Sequence, residues 1–115
     1  MTNYLAEGAT EHGSNQYGQF IKFQNGVMIC WRKFLATPTY VSTWGSMHYY
    51  AIFDWQYAAN FTEKPVVFVY NTDGNTFLIG QIQVDEWHII KCELMRAVND
   101  ASQSEFEFLA IGRWK

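Results

Sequence analysis

Residues 19–31 read QFIKFQNGVMICW, and this stretch has the pattern of a β-hairpin. Residues 19–23 resemble a short strand, and Gln24, Asn25 and Gly26 follow it. An Asn-Gly pair permits the positive φ angles that a tight hairpin turn requires. The returning strand, residues 27–31, is apolar at every position. We therefore predict that both of its faces are covered, one by the core and the other by a partner.

Further strand-like segments follow the hairpin, separated by polar or turn-forming residues. A helix over residues 49–59 is the alternative for one of them. We predict strands over residues 49–55, 66–70, 76–84, 87–97 and 105–115, with loops over 35–48, 71–75 and 99–104. Alternation in the third of these strands predicts one face with Thr76, Leu78, Ile82 and Val84 and another with Phe77, Ile79, Gln81 and Gln83. In the fourth, His88, Ile90, Cys92 and Leu94 are predicted to oppose Trp87, Ile89, Lys91 and Glu93.

The fold class predicted from this pattern is all-β, an antiparallel sandwich of about six or seven strands. The chain has 115 residues, which suits one domain. Residues 1–18 are polar and glycine-rich, so we predict an N-terminal arm or linker there and a single β-sandwich domain over residues 19–115.

Charge and hydropathy exclude several classes of protein. The net charge is −3 and no run of Lys or Arg occurs, which disfavours a nucleic-acid binder. No apolar stretch approaches the ~20 residues that a membrane span needs. The N-terminus lacks the basic and apolar regions of a signal peptide. We therefore expect a soluble protein made in the cytoplasm, without nucleic-acid partners or membrane insertion.

Catalytic and metal sites have little support in the sequence. Cys30 and Cys92 lie inside apolar runs, which predicts buried free thiols, although a disulfide between neighbouring strands is the alternative. His12, His48 and His88 are scattered and form no His-x-His pair, so we predict no metal site. No Gly-x-Ser-x-Gly motif is present, and turns or strand alternation account for the carboxylates. The expectation is a non-enzymatic protein without a cofactor.

Three segments in order carry a family resemblance. Residues 17–31 read YGQFIKFQNGVMICW, residues 61–69 read FTEKPVVFV, and residues 108–114 read FLAIGRW. Together they resemble the C-terminal domain of phage and prophage tail-fibre proteins, over residues 17–115. The stretch from Leu35 to Gln56 is longer and more aromatic than this family pattern. The resemblance implies a sandwich similar to H-type lectins, a homotrimer, a place on the virion, and a host-surface glycan bound in clefts between protomers.

Two segments offer the groups that a sugar site needs, a flat aromatic face with polar groups beside it. The alternative for both is packing against the domain itself or a neighbour. The predicted ligand-binding residues are Trp44, His48, Tyr49 and Tyr50 in the first segment and Asp85, Trp87 and His88 in the second.

The apolar strands over residues 27–31 and 66–70 are easiest to bury if copies of the chain pack around an axis. The first hypothesis for function is thus a non-catalytic, homotrimeric receptor-binding tip that recognises host cell-surface carbohydrate. The second is a structural cap that trimerises a fibre and has no ligand. The third is a cellular H-type lectin.

Overall fold

A computed structural model describes residues 9–73, 78–99 and 102–115 of the chain. These residues form nine strands and no helix, so the helical alternative for residues 49–59 is wrong. None of the described residues lies in a helix that could cross a bilayer. The strands are β1 Ala9–Asn15, β2 Gly18–Phe23, β3 Val27–Ala36, β4 Thr39–Trp44, β5 Met47–Gln56, β6 Val66–Asn71, β7 Leu78–Val84, β8 His88–Arg96 and β9 Ser104–Arg113.

The strands form two antiparallel sheets. The five-stranded sheet has the order β1-β2-β3-β9-β6, and the four-stranded sheet has the order β4-β5-β8-β7. The predicted antiparallel β-sandwich is confirmed, with nine described strands instead of six or seven.

The predicted hairpin is confirmed as β2 and β3. The amide of Gly26 donates to the carbonyl of Phe23 at 3.0 Å, and the side-chain oxygen of Asn25 accepts from the amide of Val27 at 3.0 Å. Gly26 has a φ of 94°, a conformation that costs glycine little and other residues much. The Asn-Gly pair therefore sets the register of the two strands.

The loop predicted over residues 35–48 is wrong. β3 continues to Ala36, β4 runs from Thr39 to Trp44, and a Gly45-Ser46 turn leads into β5. Every residue of β4 is exposed, so the strand carries no alternation that a pattern search could detect.

The predicted arm also contains a strand. Residues 9–15 form β1, which pairs with β2 along the edge of the five-stranded sheet. Its polar sequence suits an edge strand, because polar side chains disfavour pairing of the free edge with a strand of another molecule. Residues 1–8 lie outside the described residues, so the arm remains a prediction there. Residues 74–77 of the predicted turn and following strand, and residues 100–101 of the last predicted loop, also lie outside them.

The core lies between the sheets, and most of its buried side chains come from β3, β5, β8 and β9. β9 contributes Phe106, Phe108 and Ala110, all fully buried. The prediction of two buried free thiols is confirmed for Cys30 in β3 and Cys92 in β8. Burial raises the pKa of Cys30 to about 11 and that of Cys92 to about 12, so both thiols are protonated and unreactive near neutral pH.

Register shifts overturn the predicted faces of β7 and β8. The pairing shifts between Ile79 and Ile82, so Ile79 packs against the core and Leu78 is 55% exposed. A second shift, between Gln83 and Val84, lets Ile89 join Cys92 and Leu94 in the core in the position predicted for Ile90. An extra residue in one strand reverses the facing of every residue beyond it. The first shift also brings Gly80 and Gln81 to the outer face of the four-stranded sheet.

Candidate functional site

The residues of the first aromatic segment lie on different faces of the β4–β5 hairpin. Trp44 ends β4 and is 68% exposed, whereas Tyr49 in β5 is half-buried and pairs with Ser42. His48 is also half-buried and pairs with Arg96 of β8. Tyr50 is fully buried, where its ring meets another tyrosine edge-on and its hydroxyl donates to an asparagine side chain at 3.1 Å. Strand alternation therefore makes Tyr50 a core residue in the described chain, with no surface for a ligand.

A cavity of about 420 Å³ opens on the outer face of the four-stranded sheet. We call it the outer cavity. Its volume falls within the range typical of small-molecule sites. The outer cavity brings together residues from all four strands of the sheet, and its lining is Ser42, Thr43, Trp44, Tyr49, Gly80, Gln81, Glu93 and Met95.

A hydrogen-bonded set of polar groups forms one side of the outer cavity. The hydroxyl of Tyr49 donates to Glu93 Oε2 at 2.7 Å, and the Nζ of Lys91 lies 3.2 Å from the same oxygen. The Tyr49 hydrogen bond, followed by that of Lys91, holds the pKa of Glu93 below its usual value despite partial burial. The same hydrogen bond raises the pKa of Tyr49. At neutral pH the cavity therefore presents an ionised carboxylate and a neutral hydroxyl, both held in place.

Gly80 leaves room for the cavity beside Glu93. A Cβ atom built at Gly80 would lie 3.3 Å from both Glu93 Cβ and Met95 Cε, which is tighter than ordinary contact. No sequence pattern pointed to Gly80, Gln81 or Glu93 as site residues. They lie on β7 and β8, far along the chain from Trp44, and only the sheet pairing brings them together.

The second predicted segment forms the turn between β7 and β8. Asp85 Oδ1 accepts from the amides of Trp87 and His88 at 3.1 and 3.0 Å and lies 2.7 Å from His88 Nδ1. The Trp87 ring stacks on the His88 ring with centroids 3.4 Å apart, and Trp87 remains 46% exposed. His88 Nε2 lies 3.5 Å from a carboxylate oxygen of Asp54, an exposed residue with a φ of 61°. A hydrogen-bonded turn thus explains the polar residues of this segment.

The two predicted segments lie at opposite ends of the four-stranded sheet. His48 pairs with Arg96 at one end of the β5–β8 ladder, and Gln56 pairs with His88 at the other. Eight residues separate the two positions, which at about 3.3 Å per residue is roughly 26 Å. One chain therefore cannot bring both segments to the same small ligand. The outer cavity belongs to the Trp44 end.

The described residues contain no group of three or more His, Cys, Asp or Glu side chains arranged to hold a metal ion. The outer cavity also contains no histidine or cysteine. Its hydroxyls, amide, carboxylate and indole are suited to binding a hydroxyl-rich ligand and holding it in one orientation.

The Asp85 turn predicts a pH-dependent contribution to stability. Burial by itself would raise the pKa of Asp85, but the hydrogen bonds from His88 and from the amides of Trp87 and His88 lower it below 3.8. A carboxyl group whose pKa is lower in the folded state than in the unfolded state stabilises the fold at pH values above its unfolded-state pKa. This stabilisation is lost as the pH falls through the folded-state pKa. Asp85→Asn is expected to cost about 1.5–3 kcal/mol at pH 7, the range of hydrogen bonds to charged groups.

Urea denaturation of wild type and Asp85→Asn from pH 7 to pH 2 measures this contribution. The difference in the free energy of unfolding should stay constant down to about pH 5 and shrink below pH 3.8. A difference that is unchanged at pH 2 would show that the carboxylate charge is not what stabilises the turn.

Comparisons with known proteins bear on the fold. No family model matches the sequence, and no curated protein matches it. An N-truncated R1-type pyocin tail fibre shares the fold with a TM-score of 0.62 at 11% identity, over 96% of this chain and 92% of that one. A P. aeruginosa R1 pyocin fibre comprising C-terminal residues matches with a TM-score of 0.50 at 11% identity. That match covers 96% of this chain and 30% of the longer fibre chain. The chain therefore has the fold of a tail-fibre domain, as its resemblance implied, while the likeness to H-type lectins stays a prediction.

Proposed function

We propose that this domain is the non-catalytic receptor-binding tip of a tail fibre and recognises host cell-surface carbohydrate as a homotrimer on the virion. The observation that carries the proposal is the outer cavity, which combines an exposed indole with a held carboxylate on a tail-fibre fold. The fold shared with the pyocin fibres supports a place on a tail fibre, and the outer cavity supports a ligand.

The chemistry of the outer cavity supports a sugar as the ligand. A pyranose ring has an apolar C–H face and a rim of hydroxyls, so its site needs an aromatic or apolar surface beside polar groups. Trp44 and Met95 supply the first, and Ser42, Gln81 and Glu93 supply the second. Hydrogen-bonded strands of one sheet carry all of these residues, which lowers the entropy lost when a ligand is bound.

The outer surface of the five-stranded sheet supports self-association. Val66, Ile111 and Ile29 form one cross-strand row, and Phe68, Leu109 and Trp31 form the next. We call these two rows the apolar face. Val66 is 62% exposed and Phe68 is 56% exposed in the single chain. The apolar sequence of β6 predicts that both of its sides are covered, and one chain covers only its inner side.

Copies of the chain are the proposed cover for the apolar face. Fully burying a large apolar side chain contributes about 1.5–3 kcal/mol, so covering the exposed parts of β6 would stabilise an oligomer by several kcal/mol per subunit. A contiguous exposed apolar patch of this kind marks an interaction surface. The trimeric state is the one that the family resemblance implies.

The apolar face also favours a second candidate function, a structural cap that trimerises a fibre and has no ligand. This candidate requires the apolar face but not the outer cavity. The two functions therefore differ in whether the domain binds a glycan.

Binding of the wild-type domain to an array of bacterial surface oligosaccharides tests the proposal. A receptor-binding tip should bind a subset of the glycans and compete with whole virions for host cells. A trimer that binds no glycan would favour the cap, and a monomer that binds none would contradict both functions.

A further inference from the structure

We infer that the saccharide bound in the outer cavity is uncharged, with its C–H face on Trp44 and its hydroxyls at Glu93 and Tyr49. This inference rests on the proposed glycan-binding function and specifies the class of ligand. It concerns saccharides in general, whether free or part of a surface polysaccharide.

The charge of the cavity carries the inference. Glu93 is the one lining residue that is ionised at neutral pH, since the hydroxyl of Tyr49 stays protonated. No lysine, arginine or histidine is among the residues that line the cavity. A carboxylate, sulfate or phosphate on the ligand would therefore meet a like charge in a partly enclosed space, where water screens it less than in bulk solvent.

Lys91 does not reverse this preference. Its Nζ lies 3.2 Å from Glu93 Oε2 and also donates to the hydroxyl of Tyr49, so the ammonium group is already engaged by two groups of the cavity. An anionic ligand would have to compete with Glu93 for that ammonium group. A neutral ligand can bind without breaking the pair.

The held carboxylate is suited to accept from sugar hydroxyls. A carboxylate has about four acceptor positions. Tyr49, Lys91 and the backbone amide of Gln81 donate to Glu93, which leaves capacity for a hydroxyl of the ligand. The hydroxyl of Tyr49 donates to Glu93 and accepts from Lys91, so its oxygen is held beside the position of a neighbouring sugar hydroxyl. Donor and acceptor positions are thus fixed before the ligand arrives.

Trp44 provides the apolar surface of the site. It is the most exposed large hydrophobic side chain in the described part of the protein, at 68%. An indole this exposed contributes little to packing within its own chain. Its position on the cavity wall gives it a role as a contact surface for a ligand. A large aromatic ring offers wide contact area at a small cost in side-chain entropy.

Calorimetric titration with paired oligosaccharides tests the inference. Each comparison uses a neutral oligosaccharide and a counterpart that differs from it only by a sialic acid, a uronic acid or a phosphate. The wild-type domain should bind the neutral member at least about tenfold more tightly, a difference equivalent to 1.4 kcal/mol. Trp44→Ala should weaken neutral binding by about tenfold or more, and Glu93→Gln should weaken it by about tenfold and reduce the discrimination against acids.

Two matched variants control for unrelated effects. Glu11→Gln removes a carboxylate that also lies 3.2 Å from a lysine Nζ, but on the other sheet. Val98→Ala truncates an exposed apolar side chain outside the cavity lining. Both should bind within about twofold of wild type, which is less than 0.5 kcal/mol. Circular dichroism of every variant checks that the fold is retained.

The outcomes separate this inference from the proposed function. Equal or tighter binding of an acidic counterpart would overturn the inference and leave the receptor-binding function standing. Neutral binding that survives both Trp44→Ala and Glu93→Gln would also overturn it, because the ligand would then lie elsewhere. Failure to bind any saccharide would contradict the proposed function and the inference with it.

Discussion

Replacing Phe108 by alanine is expected to lower the free energy of unfolding by about 3–5 kcal/mol. Phe108 is fully buried in β9, with its ring centroid 6.1 Å from that of Phe34 and 6.0 Å from that of Tyr57. Truncation loses the transfer free energy of the ring and leaves a cavity between the sheets. Because domains of this size are stable by only about 5–15 kcal/mol, the loss is a large share of the total.

Urea denaturation at one fixed protein concentration measures this effect, since association also contributes to stability. Phe53→Ala is the matched control, because Phe53 lies on β5 and is 45% exposed. We expect that variant to lose about 1 kcal/mol or less. An equal loss in both variants would contradict the placement of β9 at the centre of the core.

Phe68→Asp is expected to dissociate the proposed trimer into folded monomers. Phe68 lies in β6 beside Leu109 on the apolar face and is 56% exposed in the single chain. An aspartate there would place an unpaired charge in an apolar interface, which costs several kcal/mol for each buried ion. The side chains of β6 that pack in the core lie on the opposite face of the strand, so the substitution leaves the core unchanged. Circular dichroism should therefore show an intact fold.

Sedimentation velocity of Phe68→Asp should show the single chain of 13.4 kDa. Val98→Asp is the control, because Val98 is 54% exposed and lies outside the apolar face. That variant should sediment like the wild type. A Phe68→Asp variant that keeps the wild-type mass would show that the apolar face is not the interface between copies.

The sequence predicted the parts of the fold in which turn residues and the pattern of buried side chains indicate the same structure. The Asn25-Gly26 pair requires a tight turn, and the core strand β9 alternates buried with half-buried residues along most of its length. β1 and β4 were missed because each lies at the edge of its sheet and is largely polar or exposed. The side chains described over residues 10–15 and 39–44 form no buried face from which alternation could be recognised.

The outer cavity could be anticipated only in part, because sheet pairing builds it. Two residues of the predicted site, Trp44 and Tyr49, line the cavity, and they lie in one aromatic segment of the sequence. Glu93 and Gly80 come from other strands, and a register shift in β7 sets how Gly80 faces. Trp87 offers the same chemistry as Trp44 in the sequence, but the ladder places it at the far end of the sheet.

The mass of the wild-type particle in solution shows whether copies of the chain cover the apolar face. Sedimentation equilibrium at micromolar concentration should give about 40 kDa, three chains of 13.4 kDa each. A stable particle of 13.4 kDa would leave Val66 and Phe68 in contact with water and would show that the domain does not form the proposed trimer.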